Sequence, residues 1–434
     1  MILFLSTNDT LGGAAMVTFR LVEALRRQGV DARMLVACRQ TDKPWVDTVD
    51  PLRFRLAKAV ERAGIFARNG FDRKDLWKVS DASTGCGAIG HPWMREARVV
   101  VLGWICQGLL SLADIRRLER TDKRLIWWMH DLWCATGICH LPAPGCTRYT
   151  EGCGHCPWLH SRAGRHDLSA RTFRRKMDVL HSFRIRYAAV SSWQRDRCLE
   201  SPIFEGKKIE VLGHPLQMDE FPTEPSADGR RALAALSPLL GEALADGRPL
   251  IAMGAARLDD PVKGLPIAIE ALNLLNDRGD APRGVAVLFG ALKNPDALQE
   301  LRYPYVHLPY VEAPLLPQLY AATTVVLSTS HFETMGATLM EGIAAGATAV
   351  TFGTAGQTDI VTPAQTGNAI TSAENGHQAT PNGYIAEYPD PASVADCLAR
   401  ALSAPFSRRA QHLSIARRFS ADTIARRFLR LLPG

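Results

Sequence analysis

Short apolar runs alternate with helical periodicity along almost the whole chain, and this alternation limits its folds more than any other feature. "MILFLS" reads as a buried strand, "NDTLGG" as a turn, and "AAMVTFRLVEALRRQG" as a helix with Val17, Leu21, Ala24 and Leu25 on one face. Gly29 stands where a helix C-terminal cap belongs. "DARMLVA", "RVVVLGW", "RLIWWMH" and "YAAVSS" continue the strand series. Strands separated by helices imply βαβ units and a parallel sheet, hence an α/β fold. A second series starts at "PLIAMGAARL" and runs through "LPIAIEALNLL", "VAVLFGA", "PLLPQLYAA", "TTVVLSTS" and "ATAVTFG". "ADTIARRFLRLL" closes the chain as an amphipathic helix.

With 434 residues the chain exceeds one ordinary core. The expected division is a first domain over 1–216, a second over 217–415, and a C-terminal helix over 416–434 that packs back on the first. The Pro-, Ala-, Asp- and Gly-rich stretch at 217–247 reads as the connection, with one helix inside. "TSAENGHQATPNG" at 371–383 reads as a surface loop. Tandem α/β domains place their ligand crevices at the carboxyl ends of their strands, and two that face each other would form one cleft.

Hydrophobic residues make up 47% and charged residues 22%, as in ordinary globular proteins. No basic region precedes the first apolar residues, so no signal peptide is read. The apolar run "VVVLGWICQGLLSLA" at 99–113 falls short of the roughly 18 residues of a membrane span. A cytoplasmic setting with reduced cysteines is therefore expected. The net charge of +7 favours anionic ligands or an anionic membrane face, while no nucleic-acid recognition motif accompanies it.

Two stretches of the second half carry candidate chemistry. In "AARLDDPVKGLPIAIEAL", Arg257 follows a strand and Lys263 precedes a helix, a pairing of planar fork and point charge that suits a diphosphate. Ordinary exposed cations are the alternative. In "HFETMGATLMEGIAAG", Glu333 and Glu341 stand eight apart with Gly336 between them. Gly336 permits close backbone approach, and the amides near Gly336 and Ala337 would face a phosphate. A carboxylate can accept from a pair of sugar hydroxyls, though Glu near a helix start also simply favours the helix dipole.

These residues, in this order, resemble the retaining GT-B glycosyltransferases of family 4. Glu333, Gly336 and Glu341 match their E-x7-E segment, and "ARLDDPVKG" is similar to their phosphate-binding Arg and Lys. "GGAA" resembles their glycine-rich first loop, at Gly12 and Gly13. "WWMHDLW" places His130 where the family keeps a His near the reacting sugar, and "AVSSW" at 189–193 fits a further family pattern. The resemblance implies two Rossmann-like domains facing each other across a cleft, the second binding a UDP- or GDP-sugar and the first an acceptor.

It further implies that Arg257 and Lys263 stabilise the departing diphosphate and that Glu341 holds the ribose. Glu333 would contact the donor sugar, His130 would reach toward it, and Gly12 and Gly13 would approach the donor phosphate. The implied reaction is a retaining, metal-independent hexosyl transfer to a saccharide or lipid-linked saccharide, in surface polysaccharide synthesis, at the inner face of the cell membrane. No cofactor is required for such catalysis. On the other reading, His130 is a packed core residue. Rival functions are another sugar-nucleotide enzyme, such as an epimerase, and a non-catalytic nucleotide-sugar-binding partner protein.

"CHLPAPGCTRYTEGCGHCPWL" holds Cys139, Cys146, Cys153 and Cys156 in a Cys-rich insertion at about 134–160. Four thiolates could close a structural zinc site, with free or disulfide-bonded cysteines as alternatives. Two basic stretches with interleaved apolar residues, at 51–71 and 161–187, could lie on an anionic membrane or cover the domain core.

Overall fold

The computed structural model describes residues 1–180, 184–279, 281–363 and 381–432. The chain divides into two compact units, Met1–Pro215 with Ile424–Gly434, and Leu216–Thr423.

In the first unit the strands are β1 (Ile2–Asn8), β2 (Ala32–Cys38), β3 (Val46–Thr48), β4 (Val99–Leu102), β5 (Arg124–Met129), β6 (Ile185–Ala189) and β7 (Ile209–Val211). They form one parallel sheet in the order β3-β2-β1-β4-β5-β6-β7. Strand side chains alternate between faces. Leu3 and Leu5 therefore enter the core that holds Val100, Leu102, Leu125 and Trp127. Phe4 meets Phe428 of the C-terminal helix at 5.4 Å between ring centroids. Both faces of β1 are thus covered, as a fully apolar central strand requires. The helix Gly13–Arg27 buries Val17, Leu21, Ala24 and Leu25, the face read from the sequence.

The second unit repeats the plan with β8 (Leu250–Arg257), β9 (Val285–Ala291), β10 (Tyr305–Leu308), β11 (Val325–Ser328), β12 (Thr348–Phe352) and β13 (Gly383–Ala386). Its order is β10-β9-β8-β11-β12-β13, again parallel throughout. In each unit the order reverses beside the first strand, between β1 and β4 and between β8 and β11. Ligands of open α/β sheets bind outside the carboxyl ends of strands at such a reversal.

One expectation changes. The stretch 217–247 holds two helices, Ala227–Ala234 and Pro238–Ala245, and belongs to the second unit. Ser226 caps the first through Gly229 N, and the Ser226 amide donates to Gln318 Oε1 at 2.8 Å. Leu233, Leu240 and Ala243 are buried, so the segment adds to the fold instead of linking domains. The basic stretch 161–187 contains the helix Leu168–Leu180, whose apolar side is buried. That helix covers the core. The loop expected at 371–383 lies outside the described residues up to 380. Among the described residues no helix is long and apolar enough to cross a membrane.

Candidate functional site

At the carboxyl end of β8, Arg257 pairs with Asp259 at 3.3 Å and with Asp260 at 3.2 Å. Asp259 is itself held by the amides of Lys293 and Asn294, each at 2.9 Å. Desolvation pushes its carboxyl up, but those amides and Arg257 outweigh it and keep the group ionised. Asp260 accepts from Val262 N and so shapes the turn that presents Lys263. Gly264 ends the turn at φ 65°, where a Cβ would sit 2.1 Å from the Thr329 carbonyl oxygen. Only glycine fits there.

The neighbouring strand β11 delivers the partner groups. Thr329 Oγ1 donates to the carbonyls of Lys263 and Gly264 at 3.1 and 3.0 Å, stitching the two loops together. Lys263 Nζ then lies 2.6 Å from Glu333 Oε1, which also accepts from Ser330 Oγ at 2.9 Å. Three residues on, Gly336 adopts φ 96° and opens the helix Ala337–Ala344, with no side chain capping its first amides. Glu341 lies within this helix beside the buried Tyr320. Burial and that carboxylate hold the Tyr320 phenol well above its ordinary range. Gly356 packs against this loop, and its amide donates to the Glu333 carbonyl at 2.9 Å. A Cβ there would meet Thr334 O at 2.1 Å.

The structure thus gathers Arg257, Lys263, Glu333, Gly336, Ala337 and Glu341 on the loops and helix that follow two adjacent strands, β8 and β11. Sequence reasoning missed most of the groups that hold them: Asp259, Asp260, Thr329 and Ser330. Their signal was only their place beside the named residues.

In the first unit, Gly12 has φ 95° and Gly13 begins a helix, with nothing within 4 Å of a Cβ built at either. The preceding loop is anchored by the fully buried Asp9, which accepts from the amides of Gln40 and Thr41. His130 follows β5. Thr18 Oγ1 donates to Ala14 O at 2.7 Å and stands 3.3 Å from His130 Nε2. With the hydroxyl proton engaged at Ala14 O, the Thr18 oxygen is free to accept from Nε2, and in that tautomer Nδ1 is a bare acceptor. That atom is buried without a partner among the described residues. Burial lowers the imidazole pKa to about 4, against an opposing pull from Asp131. His130 is therefore neutral near pH 7 and unsuited to act as an acid.

Its neighbour Asp131 fixes the turn, accepting from Trp104 Nε1 at 2.9 Å and Trp133 N at 2.8 Å and pairing with His140 at 2.7 Å. A second imidazole, His214, was not anticipated. Its ring centroid lies 6.0 Å from that of His130, and neither of its nitrogens has a partner among the described residues.

Cys139, Cys146, Cys153 and Cys156 line one cavity with Tyr149 and Trp158. All four are free, and Gly137 N donates to Cys153 Sγ at 3.2 Å. Burial pushes the Cys153 thiol up to about 11 and the Cys156 thiol up to about 12. Among the described residues no three Cys, His, Asp or Glu groups are arranged to hold a metal ion. The insertion is fastened from below by the buried Lys176, whose Nζ donates to the carbonyls of Trp133 and Thr136 at 2.5 and 3.0 Å.

Residues 248–404 match the family model described as Glycosyl transferases group 1. No curated protein matches the chain by sequence. Several solved structures are similar over nearly the whole length. Sucrose-phosphate synthase from Thermosynechococcus elongatus has a TM-score of 0.61 at 16% identity, covering 99% of this chain and 97% of its own. Anabaena HepE, solved in complex with UDP and glucose, has a TM-score of 0.57 at 14% identity, covering 99% and 98%. WaaG, a glycosyltransferase involved in lipopolysaccharide biosynthesis, has a TM-score of 0.59 at 14% identity and covers 100% of both chains. At such identities the likeness is one of fold. The chain has the GT-B fold of two parallel-sheet α/β domains, and its second unit carries the group 1 glycosyl transferase match.

Proposed function

We propose that the protein is a retaining glycosyltransferase that moves a sugar from a nucleotide diphosphate sugar to a saccharide or lipid-linked saccharide, in surface polysaccharide synthesis. The observation that carries this reading is the contact of Lys263 with Glu333 at 2.6 Å. A donor diphosphate competes with Glu333 for Lys263, and the carboxylate it displaces is then free to accept from the donor sugar hydroxyls. Arg257 and Lys263 stabilise the negative charge that grows on the leaving diphosphate, an effect aimed at the transition state. The acceptor oxygen bonds to the anomeric carbon on the face the diphosphate leaves. The carbon–oxygen bond to the diphosphate breaks, and the acceptor proton passes to a phosphate oxygen. Glu341 holds the ribose, the Gly336–Ala337 amides meet phosphate, and the neutral His130 reaches toward the sugar. Gly12 and Gly13 leave room for the donor phosphate. The chemistry asks for no metal ion, because cations and amides supply the positive charge.

The test is a thermal-shift screen of UDP-, GDP- and ADP-sugars, since a ligand that binds only the folded state raises its melting temperature. UDP-glucose is the first candidate, because HepE was solved with UDP and glucose. A shift with one donor, lost in Lys263→Ala, supports the reading. An equal shift in both proteins contradicts the diphosphate assignment.

A further inference from the structure

Tyr320 is a buried phenol beside the carboxylate that the proposed function gives to the ribose. It stands in the helix Leu316–Ala322, between β10 and β11, and is fully buried. Its ring meets Phe289 of β9 edge-on, with centroids 5.9 Å apart. The apolar body of the side chain is thus well placed. Its hydroxyl oxygen, however, has no hydrogen-bond partner among the described residues. Buried hydroxyls without a partner are uncommon, and each calls for a reason. A Phe would fill nearly the same space without burying an unpaired polar group.

Glu341 supplies the reason. Its helix, Ala337–Ala344, lies against the helix Leu316–Ala322, and Arg408 ties the two together. The Arg408 guanidinium donates to the carbonyls of Ala321 and Thr323 at the end of one helix, and to that of Ala345 just past the other. Tyr320 precedes the first of these carbonyls, and Glu341 stands one turn before the last. The half-buried Glu341 is the carboxylate that acts on the phenol. A carboxylate has lone pairs on both oxygens, enough for two ribose hydroxyls and one further donor. Without a group to hold it, a Glu side chain must be ordered each time a ligand binds, which costs affinity.

We propose that Tyr320 is a positioning residue for nucleotide recognition: its hydroxyl donates to Glu341 and aims that carboxylate at the ribose diol. The inference rests on the ribose role of Glu341 given above and adds a second residue to it. Tyr320 acts through Glu341 and touches no ligand itself. Burial keeps the phenol protonated through the neutral range, so it remains a donor there. An ionised acceptor makes such a bond stronger than one between neutral groups.

The experiment is calorimetric titration of the full chain with UDP, GDP and ADP and with the 2′-deoxy form of each. The parent is expected to bind its preferred ribonucleotide about tenfold or more tighter than the deoxy form, and Glu341→Ala to lose that preference. Tyr320→Phe should bring the two affinities to within about threefold of each other. It should also melt no lower than the parent, because the deleted hydroxyl has no partner to lose. A Phe variant that keeps the parental preference, where Glu341→Ala loses it, would overturn this inference and leave the ribose assignment standing. So would a Phe variant that melts lower and binds both forms more weakly by the same factor, which is the mark of a packing role. A parent that binds both forms alike would overturn the inference together with the ribose assignment.

Discussion

Lys263 and Glu333 are 70 residues apart in the chain, yet their charged atoms meet at 2.6 Å. Their side chains remain 28% and 22% exposed, so the pair sits at the mouth of the loops and not in the core. An ion pair of that exposure contributes only about 0–1 kcal/mol to stability. Lys263→Ala and Glu333→Gln should therefore unfold at nearly the parental denaturant midpoint. Transfer activity should fall about a hundredfold or more, as when a charge-stabilising group is removed from a transition state. Parallel denaturant curves and initial rates check this. A large stability loss with little kinetic effect would give the pair a structural role instead.

Gly264→Ala should do the opposite. The new Cβ would sit 2.1 Å from a backbone carbonyl oxygen at a left-handed φ of 65°. Backbone cannot yield as a flexible side chain can, so a loss of about 2 kcal/mol or more is expected. Chemical denaturation monitored on the second unit measures it, and donor binding should weaken with it because Lys263 is displaced.

His130 and His214 give the first unit a predicted acid sensitivity. Burial lowers their pKa values from an ordinary 6.5 to about 4 and about 3. Between those values and 6.5 the unfolded chain binds more protons than the folded one, so stability rises with pH across that window and is lost as pH falls through it. Above about 6.5 these groups contribute no slope. Unfolding free energies measured from pH 7 down to pH 4 should decline, and less steeply in His214→Gln.

Lys176 is fully buried, with its ammonium 3.3 Å from the Trp133 ring centroid and bonded to two carbonyls. Burial lowers its pKa to about 8. Lys176→Ala takes the ammonium donor from both carbonyls, leaving Trp133 O to Thr136 N and Oγ1 at 3.4 Å, and opens a cavity beneath the Cys-rich insertion, so a loss of about 3 kcal/mol is expected. Lys176→Met, which keeps the volume, should cost less. Equal midpoints for the parent and both variants would contradict this anchoring role.

The central strands were legible because each is a nearly continuous apolar run covered on both faces. The strands absent from the sequence reading, β3, β7, β10 and β13, are the four sheet edges. "VDT", "IEV", "YVHL" and "GYIA" are three or four residues long, too short for a period to stand out in the sequence. Within the site, Arg257, Lys263, Glu333 and Glu341 stood out by residue type and spacing. Thr329, Ser330 and Asp259 did not, since their roles come from contacts between segments far apart in sequence. His214 was hidden for a similar reason: only the fold brings its ring beside that of His130. Cysteine spacing led to four sulfurs around one cavity.

A structure determined with the preferred nucleotide bound tests the central claim most directly. The diphosphate should lie within hydrogen-bonding reach, about 3 Å, of Lys263 Nζ and the Arg257 guanidinium, with the ribose on Glu341. A nucleotide bound anywhere else on the chain, with Lys263 still paired to Glu333, would contradict it.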